Sequence, residues 1–184
     1  MSLCLYVGMD DSNHAGEIQG EINFATFSMI RQDSIVRTFP NRRDYLQAQK
    51  WMKHPCRDYR FTILTGEPWR TKPDNLVRTA PVLINSFLQD YPHLELDAIR
   101  LYLDGNLDSS GKESLRICFR DMDFAVKNFV KKGKNRKGHM AKRPVCPSLV
   151  YMADIWAHML LGKSVEECFG SQKYVPFSPK PEAQ

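Results

Sequence analysis

The chain has 184 residues, enough for one domain with a substantial core. Hydrophobic residues make up 42% of it and charged residues 26%, which excludes a disordered or fibrous protein. The formal net charge of +5 permits binding to a polyanion without requiring it. Because we find neither a basic leader nor an apolar run of membrane-spanning length, we expect a cytoplasmic protein with no membrane partner. The five cysteines include no CxxC pair, which favours buried free thiols over a disulfide framework or a zinc site.

Strand patterns dominate the start of the chain. Residues 3–9 are apolar on both faces, which is typical of a central strand. Residues 21–30 and 35–39 are rich in β-branched and aromatic side chains and predict a second and a third strand. Three consecutive strands with short turns predict an antiparallel meander.

Helices and strands then alternate, which predicts crossover connections and parallel strands. The pattern gives a helix over 42–53, a strand over 60–65, a helix that begins at Asp74 or at Pro81, and a strand over 96–103. Beyond Gly105, residues 115–119 fit either a strand or a short helix, and residues 123–130 predict a helix. A final long helix is predicted from residue 147 or 148 to 161. We expect a single domain over 1–175 and a loose tail over 176–184.

Acidic residues stand at the ends of several predicted strands. Asp10 and Asp11 follow the first strand directly, and Asp104 ends the strand over 96–103 in the same way. Glu67 follows the strand over 60–65. The carboxyl ends of central α/β strands are the usual place for ligand sites, although each of these acids is also ordinary turn composition.

Asp154 lies within the last long helix, which is apolar almost all round and is therefore expected to be buried. A buried carboxylate is costly unless it is paired or binds a metal. Two interpretations follow: Asp154 is a metal ligand, or it pairs with His158 one helical turn later.

Two segments together resemble the RNase H-like superfamily. The residues Gly-Met-Asp-Asp-Ser at 8–12 resemble its first-strand aspartate motif. The segment SLVYMADIWA at 148–157 is similar to the "S-x-LQLADLIA" ending of a widespread uncharacterised family with this fold, often described as integrase-like. This chain departs from that family at Asp11, where Glu is usual, and at Val-Tyr-Met before Ala-Asp. The resemblance covers residues 3 to about 161.

The resemblance implies an α/β fold with a mixed five-stranded RNase H-like sheet, three antiparallel strands followed by parallel strands, and helices on both faces. It also implies a site for Mg²⁺ or Mn²⁺, because hard cations prefer carboxylate oxygens and can activate water for phosphodiester hydrolysis. Asp10, Asp104 and Asp154 would converge as metal ligands. Asp11 or Glu67 would be a further ligand in this catalytic site.

A run of basic residues lies just before the last long helix. A basic loop beside a metal site can hold phosphates without reading sequence, whereas the common alternative is a solvated charged loop. The candidate nucleic-acid-binding residues are Lys131, Lys132, Lys134, Arg136, Lys137, Lys142 and Arg143.

Three hypotheses about function follow. The first is a divalent-metal-dependent nuclease or related phosphoryl-transfer enzyme acting on nucleic acid. The second is a catalytically inactive nucleic-acid-binding or adaptor domain of the same fold. The third is a nucleotide-binding phosphotransferase of the related actin-like architecture, which ranks lowest because the chain has no Gly-rich phosphate loop and no second matching domain.

Overall fold

The computed structural model describes residues 3–12, 21–29, 49–50, 52–64, 72–105, 107–129 and 148–177. Within them, five strands build one sheet and helices pack against it. The elements are β1 (Leu3–Ser12), β2 (Glu21–Ser28), β3 (Arg57–Leu64), α1 (Lys72–Asp90), β4 (Leu96–Asp104), α2 (Ser109–Cys118), β5 (Asp123–Phe129), α3 (Ser148–Leu160) and α4 (Val165–Phe169).

The strand order in the sheet is β3-β2-β1-β4-β5. Strand β2 pairs antiparallel with both β1 and β3, whereas β4 pairs parallel with β1 and β5 pairs parallel with β4. The meander followed by crossover-connected parallel strands, with helices on both faces, is the mixed α/β arrangement expected from the sequence. The expected fold class is confirmed.

Helices α1 and α2 cover one side of the sheet, which we call the α1 face. Leu5, Val7 and Met9 alternate along β1 and enter the same apolar core as Leu83 and Phe87 of α1. Burying such a side chain stabilises the fold by about 1.5–3 kcal/mol. Alternate residues of β1 therefore point toward α1, and the residues between them point to the opposite side.

Helix α3 covers the opposite side, which we call the α3 face. Ala153 and Ala157 of α3 pack with Ile22 and Phe24 of β2. The helix begins over Gly8, where an added Cβ would lie only 2.6 Å from the backbone nitrogen of Val150. The small residues on both partners explain how closely α3 approaches the sheet.

Several element predictions need correction. Residues 123–129 form strand β5 and not a helix, because they pair with β4 and because Phe124 and Val126, two residues apart, both pack against the core. Strand β3, predicted over 60–65 as a parallel strand, is the antiparallel edge of the meander. Residues 115–119 include the end of helix α2. The predicted strand over 35–39 and most of the helix over 42–53 lie outside the described residues.

The edge of the sheet at β3 is held by a buried ionic network. Asp58 accepts hydrogen bonds from Lys173, Arg60 and Tyr91, and Arg60 also pairs with Asp90. Burial alone would raise the pKa of Asp58, but the hydrogen bonds from Lys173 and Arg60 outweigh it and lower that pKa below its usual value. The network ties β3 to α1 and to the chain after α4.

In the described part of the chain, Cys4, Cys56, Cys118 and Cys168 are all free thiols, as expected. The expectation that they are buried holds fully for Cys168 and is wrong for Cys118, which is exposed at the end of α2. None of the described helices combines the length and apolar character needed to cross a membrane.

Candidate metal centre

Asp10 lies near the end of β1 and points to the α3 face. It alternates with Met9, which enters the core on the α1 face, and it shares its side of the strand with Gly8 beneath α3. Its side chain is only 1% exposed, and its Oδ1 accepts the backbone N–H of Asp11 at 2.9 Å. A carboxylate is therefore held under the helix side of a central strand.

Asp104 lies beside Asp10 on the neighbouring strand. The parallel register pairs Gly8 with Tyr102 and Met9 with Leu103, so the next residues, Asp10 and Asp104, follow at the same level and on the same face. Neighbouring strands are separated by about 4.8 Å, which brings the two acids into one another's reach. Asp104 is 8% exposed, and the strand ends there.

Asp154 comes to the same face from helix α3. The Thr26 hydroxyl donates to the Leu149 carbonyl at 2.7 Å and fixes the first turn of α3 over β1 and β2. Asp154 is buried in the next turn, with Nε2 of His158 3.4 Å from its Oδ1. The alternative interpretation of Asp154, a contact with His158 one turn later, is thus present in the structure.

Asp10 and Asp104 on the α3 face, together with Asp154 in the helix that packs on it, offer the oxygen donors that Mg²⁺ and Mn²⁺ prefer. Across the described ranges, no group of three or more Asp, Glu, His or Cys side chains is placed to hold a metal ion. The donor chemistry of the adjacent pair Asp10 and Asp104 fits such an ion. The full three-carboxylate site remains a prediction.

Asp11, proposed from sequence as a further ligand, lies on the other side of the sheet. It pairs with Asn23, whose side chain bonds to Glu21 at 2.8 Å and to Thr79 of α1 at 3.2 Å. Asn75 of α1 donates to the second oxygen of Glu21 at 2.8 Å. Strand alternation therefore separates Asp11 from Asp10 and places it beside a buried polar network on the α1 face.

That network was not visible in the sequence. Glu21 and Asn23 alternate with Ile22 and Phe24, a pattern that ordinarily marks a strand with one solvated face. Here α1 covers the polar face as well, so all four side chains are buried. The alternation of polar and apolar residues indicated which side chains share a face of β2. The burial of the polar side chains depends on the packing of α1 and could not be read from that alternation.

The other predicted site residues fall outside the described part of the chain. These are Glu67 and the basic residues Lys131, Lys132, Lys134, Arg136, Lys137, Lys142 and Arg143. The elements before and after the basic segment are described: strand β5 ends at Phe129, the partner of Asp104, and helix α3 starts over Gly8.

Comparison with known proteins finds no matching family model and no matching curated protein. Among solved structures, the chain is similar to RNase HII from Archaeoglobus fulgidus, in a complex with PCNA, with 14% identity, a TM-score of 0.41, and coverage of 92% of this chain and 81% of that one. It is also similar to ribonuclease H2 from Pyrococcus horikoshii, with 12% identity, a TM-score of 0.47, and coverage of 92% and 80%.

A third similar structure is the human cytomegalovirus terminase nuclease domain, soaked with Mn and bound to an inhibitor. It shows 14% identity and a TM-score of 0.31, over 74% of this chain and 50% of that one. Identities this low do not carry a residue's role from one protein to another. The function of this chain has to be argued from its own side chains.

Proposed function

We propose that this protein is a divalent-metal-dependent nuclease, or a related phosphoryl-transfer enzyme, acting on nucleic acid. The observation that carries the proposal is the register of β1 and β4, which sets Asp10 and Asp104 side by side on the face covered by α3. Asp154 is buried in the helix that packs on that same face. Two strand carboxylates and one helix carboxylate on one face are a donor set for a hard cation.

In this proposal Asp10, Asp104 and Asp154 hold Mg²⁺ or Mn²⁺. The ion supplies an activated water and stabilises the leaving oxygen of a phosphodiester. The chain itself fixes the ligands: the Asp11 N–H holds one oxygen of Asp10, and His158 lies against Asp154. Strand pairing fixes the spacing between Asp10 and Asp104.

The basic residues between β5 and α3 would bind the phosphates of the substrate. The seven residues from Lys131 to Arg143 follow β5, which pairs with β4 up to Asp104, and precede α3 in the sequence. Contacts between cations and phosphates provide affinity without sequence preference and weaken with salt.

We further propose a single domain over 1–175, a tail over 176–184 and a cytoplasmic location.

The metal proposal is tested by thermal unfolding with and without Mn²⁺ or Mg²⁺. Binding at about a hundred times Kd stabilises a fold by about 2.7 kcal/mol, which is roughly 5–10 °C for a chain of this size. Asp10→Asn and Asp104→Asn should remove most of that rise, and Asp154→Asn should reduce it. The matched control is Asp121→Asn, because the Asp121 side chain is 94% exposed after α2.

The same variants are then assayed for metal-dependent cleavage of a panel of DNA, RNA and hybrid substrates. Asp10→Asn should abolish cleavage while leaving nucleic-acid binding intact. A native protein that shows neither a metal-dependent rise in Tm nor cleavage would refute the nuclease proposal.

The second candidate function is a catalytically inactive nucleic-acid-binding or adaptor domain. The contact between Asp154 and His158 favours it, because that contact gives Asp154 a structural reason to be present. Nucleic-acid binding without any metal response would decide for the adaptor. In either case, the salt dependence of binding should weaken in a variant that neutralises Lys131, Lys132, Lys134, Arg136 and Lys137. The slope of log affinity against log salt concentration should fall by about 0.9 for each duplex phosphate that the variant no longer contacts.

A further inference from the structure

The α3 face has a second region beside the acids, formed by strands β4 and β5. Helix α3 packs mainly on β1 and β2, and Tyr6 of β1 lies against its first turns. Beyond Tyr6, helix α3 contacts β4 much less than it contacts β1 and β2. The residues of β4 and β5 that point to the α3 face include Arg100, Tyr102 and Lys127, which we call the β4 track.

The β4 track combines an aromatic ring with a cation. Tyr102 and Lys127 are register partners, and the Lys127 ammonium lies 5.6 Å from the centroid of the Tyr102 ring. The Tyr102 ring is partly buried and Lys127 is exposed. Within the described residues Lys127 makes no ion pair with an acid.

Arg100 closes the far end of the track and is fixed in place. Its guanidinium bonds to the carboxylate of Asp123 and to the Asp123 carbonyl, the latter at 2.7 Å. Its guanidinium therefore already has an anionic partner. Lys127 is therefore the cation of the track that would meet a phosphate, and Arg100 is a rigid border.

The track leads directly to the proposed metal site. Tyr102 and Asp104 lie on the same side of β4, two residues apart, which is about 6.6 Å along a strand. The partner of Asp104 on β5 is Phe129, after which the basic segment begins. A polymer that lies along β4 with one unit on Tyr102 would thus present its next linkage at Asp104.

We infer that the β4 track binds single-stranded nucleic acid, with a base stacked on Tyr102 and the adjoining phosphate held by Lys127. The inference rests on the proposed function and specifies its substrate. Stacking on an aromatic side chain needs a base whose face is free, which single strands offer and paired duplexes do not. An aromatic ring with an ammonium against it complements a base joined to a phosphate. A protein partner has no comparable alternation of flat ring and anion.

The test measures binding of the full-length protein to a fluorescent single-stranded oligonucleotide and to the matching duplex, in Ca²⁺ to prevent cleavage. Tyr102→Leu should weaken single-strand binding roughly 5- to 150-fold, the range for loss of one stacked base, and should leave duplex binding nearly unchanged. Tyr102→Phe keeps the ring and should bind as the native chain does. Lys127→Gln should lower the single-strand salt slope by about 0.7.

Two controls separate a local effect from a general one. Phe169→Leu removes an aromatic ring that is 46% exposed on α4, and Arg116→Gln removes an exposed cation on α2, on the other face. Neither should change single-strand binding. Because Lys127 is exposed, Lys127→Gln should fold normally even if Tyr102→Leu is destabilised.

Native affinity in both Tyr102→Leu and Lys127→Gln would overturn the inference, and so would equal losses for single strand and duplex. A native protein that binds no single strand would overturn it as well. If Asp10→Asn still abolishes the metal response and cleavage, the proposed function survives that result. If the native chain has neither metal response nor cleavage but Tyr102→Leu loses single-strand binding, the track stands and the nuclease proposal fails.

Discussion

The close approach of α3 to β1 at Gly8 makes the site sensitive to a single added methyl group. In Gly8→Ala, the new Cβ would lie 2.6 Å from the Val150 nitrogen and closer still to the Leu149 carbonyl carbon. These are backbone atoms, so no side-chain rotation relieves the contact. The helix has to move away by about 1 Å to reach the 3.4 Å at which ordinary contacts begin. Overpacking of this kind costs about 1–3 kcal/mol.

We expect Gly8→Ala to lower Tm by roughly 2–12 °C in calorimetry or circular dichroism. Because α3 carries Asp154 while β1 carries Asp10, the same shift should weaken the Mn²⁺-dependent rise in Tm. Gly162→Ala is the control, since its added Cβ would lie 3.7 Å from the nearest atom, an ordinary contact. If Gly8→Ala melts like Gly162→Ala and keeps the full metal response, the reasoning about how α3 docks is wrong.

Three further predictions concern individual polar groups. The folded-state pKa of Asp58 lies below its unfolded value of about 3.9. The stability that ionised Asp58 contributes is therefore present above that pH and is lost as pH falls through the folded pKa. Urea unfolding should show this loss of stability in acid for the native chain and not for Asp58→Asn. Thr62 is fully buried and, among described residues, its hydroxyl has no hydrogen-bond partner, so Thr62→Val should raise the free energy of unfolding by about 1 kcal/mol. Thr26→Val should lower it by about as much, because the Thr26 hydroxyl donates to the Leu149 carbonyl. Equal losses in the two variants would show that Thr62 has a partner. Asp10→Asn should remove the metal response while Asp11→Asn keeps it, and equal effects in thermal melts would contradict their placement on opposite faces.

The fold class was predictable because local patterns and connection rules agree. The predicted strands over 3–9 and 96–103 are each followed directly by an acid, and α1 shows apolar residues at helical spacing. Four of the five described strands overlap predicted strands, whereas the fifth, β5, was predicted as a helix. Residues 123–129 are too short for periodicity to separate a helix from a strand, and pairing with β4 decides the matter in the structure.

The site was predictable in part for the same reason. Asp10 and Asp104 could be placed at one edge, because parallel neighbours end together. The side on which Asp11 lies could not be read from composition, since the turn expected after residue 9 would have left its direction open. In the structure β1 continues to Ser12, and continuous strand geometry forces Asp11 to the α1 face.

The position of β4 in the sheet decides whether the acids can meet at all. Strands are spaced by about 4.8 Å, so a β4 added outside β3 would stand about 14 Å from β1 instead of next to it. Asp10 and Asp104 are far apart in sequence, and the β1–β4 pairing alone brings them together. A metal bound by both carboxylates would therefore stabilise that pairing in particular. The metal-dependent rise in Tm thus reports on the β1–β4 register as well as on the ligands, and a variant that loosens the pairing without touching an acid should lose the response too.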